Sequence, residues 1–123
     1  MRRISEAAKR AAERREKENA AKRLHDLVPE LAEMTINIDE RRFGHDESEV
    51  RHIRHIVVDN APAIFDLPCC DRQCDGHHDI TGKILRGLKA HKTHIEGSDR
   101  CLGHSRDGDC ALELRYTVQA SYG

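Results

Sequence analysis

Four of the five cysteines in this chain form two pairs, Cys69 with Cys74 and Cys101 with Cys110, and the residues between the pairs read as a folded spacer. A tetrahedral zinc ion needs this arrangement: each tight loop supplies two thiolates, and the fold brings the loops together. Around the first pair, Leu67-Pro68-Cys69-Cys70-Asp71-Arg72-Gln73-Cys74 runs out of an extended segment into a polar turn. Neighbouring side chains of an extended segment point opposite ways, so only one of Cys69 and Cys70 is expected to ligate. We assign Cys69, giving C-x4-C; Cys70, giving C-x3-C, is the tighter alternative. The second loop, between Cys101 and Cys110, is polar, and Gly103 and Gly108 allow both of its ends to fold back on one ion. The expectation is one zinc on Cys69, Cys74, Cys101 and Cys110. An iron–sulfur cluster would use similar ligands, and plain buried thiols are the bland alternative.

Histidine widens the choice. His77 and His78 lie close to Cys74, and His104 lies inside the second loop, so an imidazole could replace one thiolate to give Cys3His. His91 and His94 have i, i+3 spacing, but Lys89 and Lys92 beside them point to a solvated face. Two cysteine pairs flanking a helix resemble zinc ribbons and treble clefs, a likeness of shape that carries no function with it.

The body around the cysteines reads as α+β. Met34, Ile36 and Ile38 alternate with Thr35, Asn37 and Asp39, the period of a strand with one wet face. After a polar loop, Ile53, Ile56, Val57 and Val58 put apolar groups on both faces of a segment, which predicts a central strand covered on two sides. A turn at Asp59-Asn60-Ala61-Pro62 leads to a short strand over residues 63–67. Asp79 or Thr81 caps a helix whose apolar face is Ile80, Ile84, Leu85, Leu88 and Ile95, ended by Gly97-Ser98. Leu112, Leu114, Tyr116, Val118, Ala120 and Tyr122 alternate with polar residues, the cleanest β signal in the chain. The expected architecture is an antiparallel sheet of four or five strands with one packed helix, the zinc sitting where the third strand, the helix start and the last hairpin meet. Aromatic residues make up only 3% of the chain and there is no Trp, so the core is thin and a metal would supply what it lacks.

Residues 1–28 are different in kind. They are rich in Ala, Glu, Lys and Arg, have no Gly or Pro, follow a potential cap at Ser5, and stop at Pro29. Nine basic and five acidic residues give this segment +4, while residues 29–123 carry twelve and seventeen, or −5. The division drawn is therefore a basic helical arm over 1–28 and a zinc-stabilised domain over 29–123. The arm's apolar positions are mostly alanine, and its stripe is broken between Arg14 and Glu18, so it buries little against its own domain and is free for a partner. Arg10, Arg14, Arg15, Lys17, Lys22 and Arg23 are the contact candidates. An acidic protein surface or larger assembly is the first choice. A nucleic-acid or ribosome-associated role, with these residues on phosphates, is the alternative; the acidic, aromatic-poor body argues against reading bases. No stretch is long and apolar enough for a bilayer, and Arg2-Arg3 lacks the hydrophobic run of an export signal, so the expected address is the cytoplasm, where thiols stay reduced.

Catalysis is not expected. His45-Asp46-Glu47 with Pro68-Cys69 partly resembles the zinc-dependent nucleobase deaminases, but the second cysteine of their motif would fall on Arg72. Four thiolates also saturate a zinc ion and make it a poor Lewis acid. A thiol switch would rest on the spare Cys70.

Overall fold

The structure, a computed structural model, describes residues 6–70, 74–105 and 108–123. Arg2-Arg3, the expected cap Ser5, and Arg72 lie outside the described residues.

Alternation of apolar and polar residues builds the sheet. Strands β1 (Leu31–Arg42), β2 (Ser48–Ile56), β5 (His94–Arg100) and β8 (Leu112–Tyr122) form one four-stranded sheet in the order β2-β1-β8-β5, and every pairing is antiparallel. In register, Ile36 faces Val118, Ile38 faces Tyr116 and Glu40 faces Leu114, so the even-numbered residues of both central strands share one buried face. Two small hairpins complete the β structure: β3 (Asp66–Pro68) with β4 (His77–Asp79), and β6 (His104–Ser105) with β7 (Gly108–Asp109). The fold is α+β around a four-stranded antiparallel sheet.

Helix α3 (Thr81–Lys89) lies against β5 and buries Ile84 and Leu88 in the core. Its N-cap position is Ile80, not Asp79 or Thr81; Asp79, one residue earlier, accepts a hydrogen bond from the Thr81 N–H at 3.1 Å, while the Thr81 hydroxyl accepts one from the Phe65 N–H at 2.7 Å.

Three expectations change. First, the strand containing Ile53 is β2, an edge strand and not a central one, with Ile53 59% exposed. Its positions on the core face are Val50, His52, Arg54 and Ile56, and the polar pair in that row prevents deep cover. The aliphatic run 56–58 falls where the strand ends in a 3-10 turn (Val58–Asn60), which buries Val58 and leaves Val57 exposed. Second, the helix ends at Lys89; His91 turns the chain at φ 56°, and His94 and Ile95 belong to strand β5. A four-residue turn, 90–93, thus ends the helix, and Ile95 reaches the core from the sheet. Third, the N-terminal helix is broken. α1 (Glu6–Ala20) is followed by a single turn, α2 (Leu24–Leu27), whose Leu24 is fully buried, as is Val28 just after it. Lys22 and Leu24 exchange backbone hydrogen bonds with Ala63 and Ala61, so residues 22–24 lie along 61–63 like a short added strand.

Candidate metal centre

Each cysteine sits at the end of a strand. Cys69 follows β3, Cys74 leads toward β4, Cys101 follows β5, and Cys110 precedes β8. Both pairs therefore come from hairpin loops, and no helix supplies a thiol. Local backbone bonds shape each loop: the Cys69 N–H donates to the Gly76 carbonyl at 3.2 Å, and the Cys110 N–H to the Gly103 carbonyl at 3.0 Å. The Gly76 N–H also donates to the Cys74 sulfur at 3.3 Å.

The two loops are then locked face to face. The Asp75 N–H donates to the His104 carbonyl at 3.2 Å, and the His104 N–H donates to Asp75 Oδ1 at 2.6 Å. That second bond is the main reason the exposed Asp75 carboxyl is held below the usual carboxylate range. The backbones meet at Gly76 and Gly103. A Cβ on Gly103 would lie 2.4 Å from the Gly76 nitrogen, and one on Gly76 would lie 2.4 Å from the Cys101 sulfur. Only hydrogen fits at either position.

The four thiols that result are all buried, with sulfurs within 4.8 Å of one another. Cys69 Sγ lies 3.7 Å from Cys110 Sγ, and Cys74 Sγ lies 3.5 Å from Cys101 Sγ. Zinc–sulfur bonds of about 2.3 Å in a tetrahedron place sulfurs about 3.8 Å apart, so the cluster fits a metal ion with little movement. Burial, and then the neighbouring thiols of Cys74 and Cys110, push the Cys101 thiol up to about 12. Four thiolates could not share this space without a cation, which is the electrostatic condition a metal satisfies.

Cys70 stays outside the cluster. Its N–H donates to Glu40 Oε1 at 3.2 Å, and burial, followed by the Glu40 carboxylate, pushes its thiol up to about 12. The sulfur of Cys69, not that of Cys70, joins those of Cys74, Cys101 and Cys110. Among the histidines weighed as substitutes, His77 pairs with Asp66 at 2.6 Å, and His104 is exposed with Nε2 3.4 Å from Asp109. His94 bonds Glu96 at 2.8 Å, and His91 stacks on Tyr122 with ring centroids 4.5 Å apart.

His78 behaves differently, and its role had no signal in the spacing. It is fully buried, with Nδ1 2.7 Å from Asp99 Oδ2 and Nε2 3.6 Å from Glu40 Oε1. Glu40 is itself only 3% exposed. Both occupy core-facing strand positions where alternation calls for an apolar residue; that mismatch was the available clue.

The six basic contact candidates divide. Arg23 is turned inward, donating to the carbonyls of Glu18, Ala21 and Asn60 and so capping the end of α1. Arg10 and Arg14 line a shallow cleft with Asp66, Asp75 and His77 and are half-buried. Arg15, Lys17 and Lys22 are exposed. His45 and Glu47 lie exposed in the β1–β2 loop. No described helix is long and apolar enough to cross a membrane. In comparisons with protein-family models, curated proteins and solved structures, none matches this chain.

Proposed function

We propose that the chain is a small binding module whose fold is held by one structural zinc ion on Cys69, Cys74, Cys101 and Cys110, and which contacts a protein partner through its basic N-terminal helix. The observation that carries this reading is the set of four buried thiols at tetrahedral separation. A four-thiolate zinc has no open position for substrate or water, which favours a structural over a catalytic ion. The contact residues are Arg15, Lys17 and Lys22, the exposed members of the basic set, on a segment opposite in sign to the body. An acidic protein surface complements it.

Two measurements test the proposal. Protein purified without added metal should carry about one tightly held zinc per chain by elemental analysis; metal-free folded protein with four reactive thiols would refute the zinc reading. Reversing Arg15, Lys17 and Lys22 to Glu should abolish co-purification of the partner while leaving zinc content and circular dichroism unchanged. Unchanged partners would refute the contact face. A nucleic-acid partner would instead reveal itself by affinity falling steeply with salt, with a log–log slope of about −0.9 for each phosphate neutralised on a duplex.

A further inference from the structure

We infer that a second metal site adjoins the first and shares a thiolate with it, formed by His78 Nε2, the Glu40 carboxylate and a bridging Cys69 sulfur. It takes a borderline divalent cation such as Zn2+ or Co2+. The inference rests on the four-thiolate reading above, since Cys69 belongs to both sites.

The geometry begins with His78. Its Nδ1 is held by Asp99 at 2.7 Å, the carboxylate–imidazole pairing with which metal-ligating histidines donate Nδ1–H and present Nε2 to the ion. Yet Nε2 is fully buried and has no hydrogen-bond partner among the described residues. An imidazole nitrogen left this way costs free energy unless something accepts its lone pair. It points toward Glu40 Oε1 at 3.6 Å, too far for a hydrogen bond. Two ligands on one tetrahedral ion, each at about 2.1 Å, stand about 3.4 Å apart, so the separation suits a shared ion better than a direct bond.

The donors also fit chemically. His78 Nε2, a Glu40 oxygen and Cys69 Sγ lie within 4.8 Å of one another and are all buried. Nitrogen, oxygen and sulfur together select zinc or cobalt over calcium or magnesium. Glu40 is oriented by the Cys70 N–H, and no Lys or Arg among the described residues pairs with it, so a buried carboxyl group faces the unpartnered imidazole nitrogen. Three protein ligands, one of them already bound to another ion, hold metal more weakly than four thiolates. The first site therefore fills first.

Titration of the full-length, zinc-loaded chain with Co2+ tests this, read by native mass spectrometry and by visible absorption. The wild type should take up a second equivalent at micromolar Co2+, with d–d bands in the visible. Glu40→Gln, nearly isosteric, should stop at one ion and lose the second-step bands while its four-thiolate ion and circular dichroism persist. His78→Gln should behave alike; if it does not fold, Glu40→Gln decides alone. A wild type that saturates at one ion overturns the second site and leaves the first standing. A second equivalent retained in Glu40→Gln overturns it also, placing that ion elsewhere, for example on the exposed histidines. A chain that holds no ion overturns both readings.

Discussion

Truncating Leu24 tests where the N-terminal arm gives way to the domain. The Leu24 side chain is fully buried in the main core beside Val28 and Val58, and its N–H donates to the Ala61 carbonyl at 2.8 Å. Leu24→Ala removes the transfer free energy of the lost carbons and leaves a cavity; core leucines lose about 3 to 5 kcal/mol on such truncation. A domain of this size has about 5 to 15 kcal/mol in total, so the loss is a large share of it. With a urea slope of about 2 kcal/mol per molar, the unfolding midpoint of the metal-loaded protein should fall by roughly 1.5 to 2.5 M. A companion pair of truncations locates the boundary. Residues 20–123, which keep the backbone bonds from 22–24 to 61–63, should unfold near the intact midpoint; residues 29–123 lose Leu24, Val28 and those bonds, and should be unfolded or marginal. A midpoint shift under about 0.3 M for Leu24→Ala, or a stable 29–123, would refute the assignment of residues 22–28 to the core.

Two other perturbations address the metal loops. Gly103→Ala would set a Cβ 2.4 Å from the Gly76 nitrogen and 2.5 Å from its Cα, both backbone, so the loops must part; at a cost of about 1 to 3 kcal/mol, zinc affinity should fall ten- to a hundredfold in a chelator competition, and unchanged affinity would show that the loops do not meet as described. The Cys70 thiol, raised from 9.0 to about 12, should alkylate in the folded protein about a thousandfold more slowly than an ordinary thiol at pH 8. Its rate should rise about tenfold per pH unit. The raised value has the same sign for stability: burial of neutral Cys70 favours the fold fully below about pH 9, and that contribution declines from about 9 toward 12. Fast labelling by iodoacetamide at pH 8, followed by mass spectrometry, would contradict the burial of Cys70 against Glu40.

Much of this was legible in the sequence, for identifiable reasons. The central strands β1 and β8 have clean alternation because each has one dry and one wet face. The grouping of the cysteines was legible because each pair lies within one short loop. β2 misled because its aliphatic residues sit at its end and on the open face, while the core-facing row contains His52 and Arg54. β5 was hidden because Gly97 and a run of charged residues mask a strand paired with β8 only at long range. Leu24 and Val28 look like the tail of a charged helix; their burial depends on residues 61–63, some forty positions away. The Glu40–His78 contact joins β1 to the β3–β4 hairpin, which no spacing within either segment could reveal.

The pairing of β1 with β8 has a consequence for how this chain must fold. Leu31 faces Tyr122, 91 positions later by subtraction, so the central strands close a loop that spans nearly the whole domain. Closing about 90 residues costs about 4 kcal/mol in chain entropy, against about 1.5 for the six residues between Arg41 and Ser48 in the β1–β2 hairpin. The cheap hairpin is also the exposed one and has little apolar surface to hold it. Until the last strand emerges, one edge of β1 has no strand to pair with, and the nascent domain is exposed to aggregation. A metal bound by the four thiols of the proposed site would tie residues 69 and 74 to residues 101 and 110, bringing the start of β8 back toward the middle of the chain. An ion held there would act as a splice that shortens the search for the last strand, so metal supply should then set folding speed as well as final stability.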